Sequence, residues 1–124
     1  MRKPGKFYRE ALCRWAGVKW MGSSDKRALE ERLTLLLAHL LKWQYRPARR
    51  GRSWQTVLES QRKHAAFMLK DNPVLKSQLG QILRHAYAKA CMNAAREVGL
   101  DQEVFPRKCP WEAAKILDEG FYPD

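Results

Sequence analysis

The chain has 124 residues, of which 45% are hydrophobic and 30% charged, and a formal net charge of +11. A length of this order fits one domain that can bury a core without disulfides or metals, and the composition argues against a disordered chain. Three cysteines, at 13, 91 and 109, are odd in number and widely spaced, which argues against a disulfide framework and points to a reducing compartment, by default the cytoplasm. The charge is unevenly spread. Residues 1–20 hold six Lys/Arg and one acid, residues 21–96 fifteen and five, and residues 97–124 three and seven. A basic body with an acidic tail favours polyanionic partners, and it also suits a tail that folds back onto the body. The basic N-terminus is not followed by an apolar run, so no signal peptide is expected.

Residues 1–22 are expected to form a short amphipathic helix lined by Phe7, Tyr8, Leu12, Trp15, Val18 and Trp20, interrupted at Gly17 and ended near Gly22. Ser23-Ser24-Asp25 then offers N-cap candidates for the central helix, with Asp25 at its positive end. Leu29, Leu33, Leu36, Leu37, Leu40 and Leu41 repeat at helical spacing, and Leu35 and Ala38 widen that face, so this helix should be covered on more than one side. The apolar run is too short to span a bilayer, which needs about 20 residues; no membrane association is expected. The helix should end near Gln44, because Pro47 disfavours helix at Arg46.

Ser53 is the expected N-cap of a third helix from Trp54 to about Lys70, with Trp54, Val57, Leu58, Gln61, Ala65 and Met68 on one face. Asn72-Pro73 should open a fourth helix that runs to about Val98, with Gly99 just past its end. Its stripe is Leu75, Leu79, Ile82, Leu83, Ala86, Ala90, Ala94 and Val98. After an irregular stretch through Phe105-Pro106, Cys109-Pro110-Trp111 should open a short helix to about Asp118. Repeats and strand-like alternation are absent. Helices joined by short loops imply a single-domain, all-α bundle of four to five helices.

Several strings, in fixed order, carry a resemblance. They are His39-Leu40-Leu41-Lys42-Trp43, Arg52-Ser53-Trp54 and Asp71-Asn72-Pro73, then Phe105-Pro106, Cys109-Pro110-Trp111, Leu117-Asp118 and Phe121. Over about residues 21–124 the chain resembles the bacterial family catalogued as a domain of unknown function, number twenty-nine. The resemblance implies an all-helical fold and no particular activity. At its start the chain departs from the family, whose members carry an acidic helix before the position of Met21-Gly22, whereas residues 9–20 here are basic and aromatic.

Catalytic and metal chemistry find little support in the residues. His39 lies among leucines and suits a hydrogen-bonded core histidine better than a base; His64 and His85 fall on polar flanks. Cys91 falls among small residues, and Cys109 suits a packing or N-cap position beside Pro110 and Trp111. A Cys–His pair could form only through tertiary contact. Glu-x-x-His, Cys-x-x-Cys and His-Glu-x-x-His spacings are absent, so no metal or cofactor is expected. Ser53 lacks the turn of a nucleophile elbow. One stretch has a chemistry that a core does not demand: Lys42, Arg46, Arg49, Arg50 and Arg52, beside Trp43, Tyr45 and Trp54. Arginine forks hold phosphates and exposed aromatics stack on bases. The competing reading is a solvated loop whose arginines lie over tryptophan faces.

Three functions follow from this. The first is a non-catalytic helical module that binds protein or itself. The second is a nucleic-acid binder acting through residues 42–54. The last is an enzyme using Cys109 or His39.

Overall fold

A computed structural model describes residues 23–124, and the expected helix within residues 1–22 lies outside them. We number the helices in chain order: α1 (Ser23–Tyr45), α2 (Arg52–Asp71), α3 (Val74–Ser77), α4 (Leu79–Val98) and α5 (Ala113–Ile116). Single 3-10 turns sit at Pro47–Arg49 and Gln102–Val104, and no strand occurs among the described residues. The fold is all-α, as the helical periods require.

The leucine stripe makes α1 the middle of the bundle. Leu29, Leu33, Leu36, Leu37, Leu40 and Leu41 are fully buried, because α2 packs on one side of α1 and α4 on the other. Each such leucine contributes about 1.5–3 kcal/mol on leaving water. Ala38 joins the buried face, but Leu35 does not: it is 43% exposed. Ser23, Ser24 and Asp25 fall inside α1 rather than ahead of it, with Asp25 in the first turn near the positive end of the helix. The helix stops where Pro47 requires, with Arg46 out of helical geometry at φ −133° and ψ 67°.

Three other boundaries differ from the pattern in the sequence. The residue before α2 is Gly51, in extended conformation and without a side-chain cap, so Ser53 lies exposed in the first turn and does not cap. The stretch after Pro73 is not one helix. Gln78, at φ −106° and ψ 3°, divides the one-turn α3 from α4. Third, the N-cap residue of α5 is Glu112 and not Cys109. Gly99 is as expected: at φ 71° it is left-handed, and the Leu100 N–H reaches back to the Ala95 carbonyl at 3.0 Å, closing α4 in a Schellman turn.

The buried face of α2 is rotated from the expected one. Leu58, Gln61, Arg62, Ala65 and Leu69 are buried, whereas Trp54, Val57 and Met68 are half-buried. On α4 the small residues Ala86, Ala90 and Ala94 are buried as expected, joined by Tyr87 and Cys91. Residues 100–124 then cross back over the bundle. Phe105 meets Tyr45 edge-on at 5.0 Å, Tyr122 packs on Trp43 at 4.8 Å, and Ile116 is fully buried. The acidic tail therefore folds onto the basic body. Among the described residues one ion pair, Lys42 with Glu97 at the end of α4, joins the acidic segment to the body; residues 100–124 are held instead by aromatic packing and by hydrogen bonds to their carbonyls.

Candidate functional site

The end of the bundle that carries residues 42–54 is set by two breaks in the chain, Pro47 and Gly51. They turn the chain from the C-terminus of α1 to the N-terminus of α2, and this end also holds the C-terminus of α4. Three of the five cations expected there are committed within the fold. Lys42 is 4% exposed; its ammonium pairs with the Glu97 carboxylate and lies 5.3 Å from the Trp54 ring centroid. That hydrogen bond holds the Glu97 carboxyl below its ordinary range, against the opposing effect of burial. Arg46 donates from Nε and Nη2 to the Val98 carbonyl at 3.3 and 3.0 Å, capping the negative end of α4. Arg50 donates from Nε to the Trp43 carbonyl at 2.6 Å and from Nη2 to that of Pro123 at 3.4 Å. The side chains of Arg49 and Arg52 are exposed and make no hydrogen bond or ion pair with the described residues.

The aromatic residues of this stretch are also engaged. Trp43 lies between Tyr122 and the Arg50 guanidinium, which is 5.2 Å from its centroid. Tyr45 meets Phe105, and Trp54 meets His39 edge-on at 6.4 Å. These rings join the tail and α2 to the body rather than standing free.

The groups considered for catalysis are likewise occupied. His39 Nδ1 donates to the Leu35 carbonyl at 2.9 Å, since a carbonyl only accepts. Burial is the main cause that pushes its pKa below the ordinary value; the Leu35 bond opposes this, and the nearby Lys42 charge adds to it. The ring is therefore neutral near pH 7. The Cys109 thiol donates to the Trp111 carbonyl at 3.5 Å. Burial pushes it up, and the other groups that act on it are Trp111 and Cys91, with no histidine among them. The Cys91 thiol is also pushed up by burial, partly offset by the nearby Tyr87 hydroxyl. Both thiols are free. Among the described residues no group of three His, Cys, Asp or Glu side chains could hold a metal ion, and no helix is long and apolar enough to cross a membrane.

The residue that the sequence pattern missed is Arg62. It is 1% exposed and reaches three carbonyls of the tail: Nε to Ile116 at 2.8 Å, Nη2 to Phe121 at 2.7 Å and Nη1 to Glu119 at 3.5 Å. Its guanidinium also lies 5.6 Å from the Tyr122 ring. A signal was present, because Arg62 stands four residues after Leu58 and seven before Leu69, on the buried face itself.

Fold and site together define a small helical bundle whose irregular tail is clasped by arginines through main-chain oxygens. The chain belongs to the family described as Domain of unknown function DUF29, whose model matches residues 16–122. The match begins before residue 21 and so takes in part of the basic, aromatic segment that the resemblance had left out. Neither the curated proteins nor the solved structures contain a match. Much of the string pattern that suggested the family falls on ring contacts: Trp43 on Tyr122 between body and tail, Trp54 on His39 between α2 and α1, and Trp111 on Phe121 within the tail at 6.2 Å.

Proposed function

We propose that the protein is a non-catalytic binding module that works through its surface. The observation that carries this reading is the condition of its reactive side chains. His39 is neutral and bonded to its own helix, and both described thiols are protonated by burial. A nucleophile needs the opposite, a thiol pKa lowered by a nearby cation or base. Free thiols also fit the cytoplasm. The test is alkylation with iodoacetamide near neutral pH, in a Cys13→Ser background. Cys91 and Cys109 should react more slowly than free cysteine. A thiol reacting several-fold faster would restore the enzyme reading.

A second reading, phosphate-backbone binding through residues 42–54, is favoured by one feature. Carbonyl oxygens hold Arg46 and Arg50 without neutralising them, and Arg49 and Arg52 stand exposed beside them. Fixed guanidinia with N–H groups to spare suit phosphate. Lys42 and the three aromatic rings have no share in this reading, because they are engaged within the protein. If all four arginines contact single-stranded DNA, the logarithm of affinity should fall against log salt with a slope of about −3. Arg49→Gln with Arg52→Gln should roughly halve that slope and leave helicity unchanged, since neither side chain holds the fold. An unchanged slope would mark the two arginines as solvated and remove this reading.

A further inference from the structure

We propose that the groove between α4 and residues 101–107 is a docking site for an extended peptide with an acidic and a basic side chain about three residues apart and apolar side chains between them. The proposal rests on the reading of the protein as a binding module. The groove has a volume of about 880 Å3, within the range of ligand clefts. Its floor is fixed in place. Tyr87, Cys91 and Phe105 are buried beneath it, and the Tyr87 hydroxyl donates to the Pro106 carbonyl at 2.7 Å, tying the segment to the helix.

Chain direction sorts the charges along this groove. α4 runs from Leu79 to Val98 and the following segment returns along it, with Pro106 bonded back at Tyr87. Arg107 therefore lies toward the early turns with Arg84, and Asp101 and Glu103 lie toward the later turns beyond Cys91. The side chains of Arg84 and Arg107 are exposed and make no hydrogen bond or ion pair with the described residues. Asp101 is used by its own loop, accepting from the Glu103 N–H at 3.2 Å, which leaves Glu103 as the free carboxylate. One end is cationic, the other acidic, and the middle aromatic.

The dimensions fit a peptide. Arg84 and Cys91 lie seven residues apart on α4, which is about 10 Å at the rise of a helix. Three steps of extended chain, at about 3.3 Å each, cover the same distance. A phosphate chain fits poorly, because the Glu103 end would repel it.

The experiment is a titration of the full chain, followed by the amide shifts in 15N NMR spectra. The probes are blocked tetrapeptides Glu-Leu-Leu-Lys and Gln-Leu-Leu-Gln, with oligothymidylate as the nucleic-acid arm. The charged peptide should shift amides within 84–91 and 101–107 and bind about tenfold more tightly than the neutral one. Arg84→Gln with Arg107→Gln should cut that difference to about threefold, the share left to Glu103, adding Glu103→Gln should abolish it, and Arg49→Gln with Arg52→Gln should preserve it. Equal binding of the two peptides, shifts located elsewhere, or no shift at millimolar peptide would overturn the proposal, as would displacement of the peptide from the groove by oligothymidylate. Those results would leave the binding-module reading standing, since that reading falls only to a fast-reacting thiol.

Discussion

Arg62→Ala is expected to lower stability by about 3–5 kcal/mol, a large share of the 5–15 kcal/mol typical of a domain. The guanidinium is buried at the junction of α2 and the tail, where it is the donor for the Ile116 and Phe121 carbonyls. Removing it leaves a cavity and two acceptors without that donor, and each buried acceptor so stranded costs about 1–3 kcal/mol. Arg62→Lys should recover only part of the loss, because one ammonium cannot reach carbonyls that a planar fork spans. Urea unfolding measures the loss. The Trp43 fluorescence of the folded variant measures release of the tail, since Tyr122 packs on that ring. A loss below about 1 kcal/mol for the alanine variant would mean that water replaces the guanidinium at little cost.

Leu37→Ala should cost about 2–5 kcal/mol, the range for a leucine deleted from a packed core. Leu37 is fully buried in the helix that lies between α2 and α4, so neither neighbour can close the space without parting from the other side of α1. Leu37→Asp should prevent folding, because the carboxylate would be buried without a partner. The first variant is read by denaturant unfolding and the second by loss of the helical circular dichroism signal. A folded Leu37→Asp protein would show that this part of α1 is open to water.

The contrast between these two residues explains what was legible in the sequence. Leu37 belongs to an apolar period, and a 3.6-residue period of leucines admits one environment. Gly99 and Pro47 were legible from backbone chemistry: glycine alone readily takes the left-handed conformation found at φ 71°, and proline excludes continued helix before it. Gln78 was not, because nothing in its chemistry forbids helix; the break between α3 and α4 is a tertiary outcome. Leu35 shows the opposite error: its apolar side chain suggested burial, but it lies on the arc of α1 that neither neighbouring helix covers. Arg62 was missed because a long cation on a helix ordinarily points to water, and its partners are main-chain oxygens 54 to 59 residues away that no side-chain pattern marks. The candidate patch was half legible. Its arginines are clustered as the sequence shows, but the carbonyl partners of Arg46 and Arg50 are set by where α4 and the tail end up.

A grip on main-chain oxygens cannot tell one side chain from another. Arg62 and Arg50 hold Ile116, Glu119, Phe121 and Pro123 by groups that every residue carries. Glu119 and its exposed neighbours can thus be rewritten, as they stand or by grafting a foreign loop of equal length, without loosening the clasp, provided that the path of the backbone is kept. The exposed turn at Glu119, unlike the buried Phe105 and Ile116 on the same tail, is in this sense a replaceable label on a fixed mount, and it is the natural place to install a fluorophore or an epitope when the partner of this bundle is sought.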